Sequence, residues 1–100
     1  MDMTITKMTE GDTVTLQLKG WLDTETSPAL ADLIDEMAEV RRLVLDFAEV
    51  AYISSAGIRI LIRAHKKMHA QQGILEILHA NADILEILRM SGLDQKLTLL

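Results

Sequence analysis

Polar and apolar residues alternate through Thr13-Val14-Thr15-Leu16-Gln17-Leu18, which places Val14, Leu16 and Leu18 on one face. A period of two over six residues predicts a half-buried strand. Weaker alternation from Thr4 to Thr9 predicts an edge strand before it, and Glu10-Gly11-Asp12 reads as the hairpin turn between them. Gly20 is expected to end the second strand. Trp21 to Thr26 then lead into a helix, for which Ser27-Pro28 predicts a serine cap followed by proline at the first helical position. Leu30, Leu33, Ile34 and Met37 recur at helical spacing, and Asp32, Asp35, Glu36 and Glu39 fall on the opposite face.

The run Arg42 to Phe47 is continuous and apolar, as suits a central strand covered on at least one face. After a short gap comes Tyr52-Ile53-Ser54-Ser55-Ala56-Gly57-Ile58, and Ile58, Leu61, Ile62 and His65 mark one face of a second helix from about Ser55 to Gln71. Gly73 is expected as a left-handed cap of that helix. Ile74 to Leu78 predicts a strand in parallel crossover with the one before it. Asn81 predicts the cap of a third helix, Ala82 to Met90, with Ile84, Leu85, Ile87 and Leu88 inward. Leu97 to Leu100 predicts a last short strand. The order is strand, strand, helix, strand, helix, strand, helix, strand, which implies an α/β domain with helices packed on a mixed sheet of four to five strands.

Composition narrows this picture. One hundred residues, 49% of them apolar, are enough for one packed domain over residues 1–100 and for a single core. Trp21, Phe47 and Tyr52 are the only aromatics, so the core must be aliphatic. A net charge of −5 argues against nucleic acid as the main partner. With no cysteine there is neither a disulfide framework nor a thiolate metal site. Met1-Asp2-Met3-Thr4 carries no basic and apolar leader pattern, and no apolar run approaches spanning length. A cytoplasmic protein without membrane insertion is expected.

Ser54 and Ser55 sit where a strand-loop segment becomes a helix. Hydroxyl residues favour that position because they cap free N–H groups, and anions are favoured there by the same N–H groups and by the helix dipole. The segment resembles the core of the STAS domain family, the bacterial anti-sigma factor antagonists. The family pattern is a buried strand ending in Asp, an apolar pair, then Asp-Ser-Ser/Thr/Ala-Gly-Leu and an amphipathic helix. Here the matching residues are Leu45-Asp46, Tyr52-Ile53 and Ser54-Ser55-Ala56-Gly57-Ile58. A second element, Gly20-x-Leu22-Asp23-x-x-Thr26, resembles the family's Gly-x-Leu-Asp before its first helix.

The resemblance implies a STAS-like fold with helices mainly on one side of the sheet, and a phosphoacceptor serine at Ser55. The family's acidic residue falls on Ser54, a departure. Asp23, Thr24, Ser54, Ser55, Ala56, Gly57 and Arg59 are the implied partner-binding set. The implied partners are an anti-sigma factor that is also a serine kinase, and a serine phosphatase acting on the phosphorylated form. The unphosphorylated domain would bind the anti-sigma factor and free a sigma factor, catalysing nothing itself. A second implied role is a non-phosphorylated subunit of a lipid-transport ABC complex or of a stress-signalling assembly, in which Ser55 is only a cap or a contact.

Other chemistry finds little support. Ser55 lacks a Gly-x-Ser-x-Gly elbow and an evident His-acid pair. No Gly-rich phosphate loop is present, and no cofactor is expected. His65 and His69 are four apart, the spacing of two zinc ligands on a helix, but no third ligand is evident and no metal is expected. His79 shows no partner in the sequence. Arg59 lies one turn after Ser55, where it could pair a phosphate or simply join Arg63 and Lys67 in a solvated stripe.

Overall fold

The computed structural model describes residues 2–99. The elements are β1 (Met3–Glu10), β2 (Thr13–Leu22), α1 (Ser27–Asp35), β3 (Arg42–Ile53), α2 (Ser55–Ala70), β4 (Ile74–Leu78), α3 (Ala82–Met90), a single 3-10 turn (Leu93–Gln95) and β5 (Thr98–Leu99). They form one five-stranded sheet in the order β1-β2-β3-β4-β5. β1 and β2 pair antiparallel, and β2, β3, β4 and β5 are parallel neighbours.

Pairing puts like residues on like faces. Val14 is level with Leu43, Leu16 with Leu45, Leu43 with Leu75 and Leu45 with Ile77. All of these are buried, and they join Leu30 and Ile34 of α1, Leu61, Ala64 and Met68 of α2, and Ile84 and Leu88 of α3 in one core. The other face is mostly polar and open: Thr13, Thr15, Gln17, Arg42, Asp46 and Thr98. Its closed patch is Val44 beside Glu76, whose buried carboxylate pairs with Arg42. The helices therefore cover one side of the sheet, as expected of this fold. A one-sided sheet accounts for the clean alternation of β2.

Several local expectations are corrected. β3 does not stop at Phe47 but runs unbroken to Ile53, so the gap expected before Tyr52 is strand. Two register shifts against β2, between Gln17 and Lys19 and between Gly20 and Trp21, absorb the extra β3 residues. They also break the alternation that would have revealed the strand. Gly20 likewise lies within β2 and does not end it. In α1 the cap position is Thr26, not Ser27; Ser27 is already helical and buried.

After α2 the left-handed residue is Gln72, not Gly73. Gly73 is needed for space: a Cβ there would stand 2.7 Å from both the Arg41 carbonyl oxygen and the Met68 Cε. In α3, Asn81 caps through the Ile84 N–H as expected, but Leu85 is exposed. The last strand is Thr98–Leu99, and Leu100 lies outside the described residues. Among the described residues no helix is long and apolar enough to cross a membrane.

Candidate functional site

β2 and β3 end level with each other, Trp21 beside Tyr52 and Leu22 beside Ile53. One residue, Ser54, separates β3 from α2. Its N–H donates to the Leu22 carbonyl at 2.9 Å, so the start of α2 is pinned to the end of β2. Ser54 is extended, and its Oγ accepts from the Gly57 N–H at 3.4 Å. It is therefore the cap of α2, satisfying one of the N–H groups that every helix start leaves over.

Ser55 is the first helical residue and is exposed. The first turn of α2 contains no acidic side chain, so no carboxylate of that turn offsets the positive end of the helix dipole. A phosphate ester on Ser55 would meet a favourable field there.

Gly57 is buried and has a structural reason to be glycine. A Cβ would stand 2.7 Å from Ile53 Cγ1 and 2.8 Å from the Leu22 carbonyl oxygen. The crowded backbone is thus the chain's own β2 end. Gly57 shapes the surface by letting α2 pack this closely, without itself being reachable.

Asp23 opens the turn between β2 and α1. Its Oδ1 accepts from the Thr26 N–H at 3.1 Å and the Glu25 N–H at 3.0 Å. The Thr26 hydroxyl accepts from the Asp23 N–H at 2.9 Å and donates to the Trp21 carbonyl at 2.6 Å. That hydroxyl is committed to the turn, which explains why Thr26 makes no cap bond to α1. The Thr26 N–H, followed by the Thr26 hydroxyl and the Glu25 N–H, holds the Asp23 carboxyl below the usual carboxylate range.

Of the residues named from sequence, Thr24, Ala56 and Arg59 line one cleft of about 380 Å³ between α1 and α2, with Ser27, Ile60 and Arg63. Ser54 and Asp23 are joined to that region through the Leu22 carbonyl and the 23–26 turn.

Arg63 and Lys67 are more than a solvated stripe. The Arg63 guanidinium grips Asp35 with two nitrogens, Nε to Oδ1 at 3.0 Å, and Lys67 Nζ donates to the Asp35 carbonyl at 3.0 Å. Both tie α2 to the end of α1. Arg59, by contrast, is exposed and makes no ion pair or hydrogen bond among the described residues.

Two features were missed by sequence reading. Trp21 and Tyr52, both exposed, meet in a tilted contact with ring centroids 5.0 Å apart and 49° between ring planes, beside the motif. Each stands two residues before its segment, Trp21 before Asp23 and Tyr52 before Ser54, and that shared offset was the available signal. Ser27 Oγ is buried without a hydrogen-bond partner among the described residues. His79 is corrected as well: its Nδ1 lies 3.1 Å from Asp46 Oδ1, which also accepts from the Ala48 N–H. The Ala48 N–H first, then His79, keep the Asp46 carboxyl low. Burial pushes His65 down, and its ring lies 6.0 Å from that of His69. No group of three ligating side chains stands together among the described residues.

The family model described as "Mlab, STAS domain" matches residues 5–100. The chain belongs to the STAS domain family. This STAS domain is 36% identical over 52 residues to BtrV of Bordetella bronchiseptica, a candidate anti-sigma factor antagonist. That match spans 52% of this chain and 45% of BtrV, about half the length of each. Its fold is similar to that of an anti-sigma factor antagonist from Mycobacterium paratuberculosis, with a TM-score of 0.86 at 22% identity, covering 98% of this chain and 85% of the other. It is also similar to the Bacillus cell fate determinant SpoIIAA in its phosphorylated form, with a TM-score of 0.79 at 18% identity, covering 97% and 91%. At such identities these structures establish the fold of the STAS domain and not its partners.

Proposed function

We propose that this STAS domain is an anti-sigma factor antagonist, acting in the cytoplasm, whose association is switched by phosphorylation of Ser55. The observation that carries the reading is the state of the Ser55 side chain. It is exposed, it opens α2, and the structure has not spent it on a cap, because Ser54 does that work. A hydroxyl that is both reachable and unused can accept a phosphoryl group without unfolding anything. The modification would add roughly −1.5 to −2 charges at one surface point. A partner that buries the neutral hydroxyl would then meet repulsion and a desolvation cost.

The named relatives support the same reading: BtrV is described as an antagonist of this type, and SpoIIAA is known in unphosphorylated and phosphorylated forms. In the mechanism that follows, the unphosphorylated domain binds an anti-sigma factor with serine kinase activity and so frees a sigma factor. The kinase transfers the terminal phosphoryl group of ATP to Ser55 Oγ, leaving ADP, and the domain dissociates. A serine phosphatase restores it by hydrolysis. The domain supplies surface and acceptor, and catalyses neither step.

Incubation with the candidate kinase and ATP, followed by mass-spectrometric mapping, tests this. Label is expected on Ser55 and is expected to vanish in Ser55→Ala. Label confined to other residues, or a Ser55→Asp variant that binds the partner as tightly as wild type, would sink the switch. A second reading, a non-phosphorylated subunit of a lipid-transport or stress-signalling assembly, is favoured by one observation. Ser54 stands where the family pattern has an acid, and its hydroxyl is engaged in capping. That reading predicts stable partner binding with Ser55 never labelled.

A further inference from the structure

The charge of this acidic chain is unevenly distributed. α2 carries four of the ten Lys and Arg residues (Arg59, Arg63, Lys66 and Lys67) and none of the fifteen Asp and Glu residues. The rest of the chain is left with six cations against fifteen acids. Lys67 is turned to α1, where it donates to the Asp35 carbonyl. Arg59, Arg63 and Lys66 are exposed and line a shallow hollow of about 350 Å³ around half-buried Ile62. Arg59 and Lys66 make no ion pair or hydrogen bond among the described residues, and Arg63 keeps 55% of its side chain open while gripping Asp35.

From this we infer that the exposed face of α2, from Arg59 to Lys66, is a docking surface for an acidic segment of a protein, with carboxylates flanking an apolar side chain seated on Ile62. The hollow supplies the apolar contact and the ring of cations supplies the charge complementarity. Its size selects the occupant. The seven helical steps from Arg59 to Lys66 span only about 10 Å, close to one screening length at physiological salt. An extended phosphate lattice, whether duplex DNA or an anionic bilayer, would reach well past that stripe. It would then meet Asp32 and Asp35 beside it and the acidic remainder of the domain. A short acidic protein segment needs only Arg59 and Lys66, which hold no acid among the described residues, and the open side of Arg63, whose other side is held by Asp35.

The link to Ser55 rests on the phosphorylation reading above. Arg59 follows Ser55 by four residues, one turn along the helix, and has no carboxylate to hold it. A phosphate on Ser55 would take the Arg59 guanidinium and thereby remove one of the two unengaged cations from the docking face. Phosphorylation would then weaken the partner complex twice, by adding repulsion and by withdrawing an anchor.

The unmodified, isotope-labelled full chain, titrated with decaglutamate and followed by amide NMR, tests the surface. Shifts are expected to concentrate on residues 59–66 and to fade at high salt. The double variant Arg59→Glu with Lys66→Glu is expected to weaken binding roughly fivefold or more, as loss of two surface ion pairs implies. Lys7→Glu with Lys19→Glu, the same net charge change at exposed positions on the β1–β2 hairpin, is expected to weaken it much less. Equal weakening by both variants, shifts located off α2, or tighter binding to duplex DNA or phosphatidylserine vesicles than to decaglutamate would overturn the proposal. These arms need no kinase, so their failure leaves Ser55 labelling standing, and absence of labelling leaves them standing. Chain phosphorylated on Ser55 is expected to bind decaglutamate more weakly than unmodified chain; equal binding would overturn the part assigned to Arg59.

Discussion

The starts of α1 and α2 flank one cleft, and each carries a pair of hydroxyl residues, Thr26-Ser27 and Ser54-Ser55. They use them in opposite ways. At α2 the first hydroxyl caps the helix and the second is left exposed. At α1 the first hydroxyl is drawn into the Asp23 turn, no side chain caps the helix, and the second is buried without a partner. Residue type therefore does not decide whether a serine is a cap, an exposed hydroxyl or a buried liability. The approach of the preceding strand decides it. β3 passes straight into α2 through one extended residue, whereas β2 must turn through Asp23 to Thr26 before α1 can begin.

The sharpest way to break the contrast is to remove the close approach that sets α2 in place. Gly57→Ala puts a Cβ against a backbone carbonyl that cannot move aside and against two core side chains. Overpacking of this kind costs about 1–3 kcal/mol, and backbone contact puts the expectation at the upper part of that range. Urea unfolding should show the midpoint fall by a corresponding amount. A midpoint unchanged within error would mean that α2 can lift off β2 freely, and the pinning of Ser54 would lose its basis.

Ser54→Ala is expected to cost about 0.5–1 kcal/mol, the low end for a cap because its bond to the Gly57 N–H is long. Ser55→Ala is expected to stay within about 0.5 kcal/mol of wild type, as for an exposed side chain that bonds nothing. Equal losses in the two variants would erase the distinction between the capping and the exposed hydroxyl. Ser27→Ala is expected to be neutral or to raise stability by up to about 1 kcal/mol, since a buried hydroxyl without a partner carries an uncompensated desolvation cost. A clear loss in Ser27→Ala would show that this hydroxyl is bonded in solution and would bring the two helix starts closer together.

How much of this was legible beforehand follows from the range of each signal. α2 was readable because its cap and its glycine are local, and Asn81 announced α3 for the same reason. The face of α2 was misplaced, since the expected stripe Ile58, Leu61, Ile62 and His65 shares only Leu61 with the buried residues Gly57, Leu61, Ala64 and Met68. The site segment was readable because β3, Ser54 and α2 are consecutive. Ser27-Pro28 misled because Thr26 and Ser27 are both cap types, and the competing claim on the Thr26 hydroxyl comes from Trp21, whose position depends on the sheet. The second half of β3 was hidden by register shifts that exist only against β2. The pairing of His79 with Asp46 joins the residue after β4 to the interior of β3, and no local pattern carries that information. Gly73 was read as a conformational glycine when the constraint is the Arg41 backbone, which belongs to another part of the chain.

The smallest expected effect concerns the turn that sets α1 apart. The Asp23 carboxyl lies below its ordinary value of 3.8, held there first by the Thr26 N–H, so its ionised form favours the folded state. A depressed carboxyl contributes stability that is fully present above its unfolded value and is lost as pH falls through that value and the folded one. Asn at this position keeps an acceptor oxygen for the same N–H groups but does not ionise over that range. The stability difference between wild type and Asp23→Asn should therefore be flat from neutral pH down to about pH 5 and should shrink below about pH 4. Taking the difference removes the parallel titration of Asp46 and Glu86, which also lie low. A difference that stayed constant through acid pH would mean that the carboxylate charge contributes nothing to the turn. The start of α1 would then be restrained by the acceptor oxygen at position 23 whatever its charge, together with the Thr26 hydroxyl.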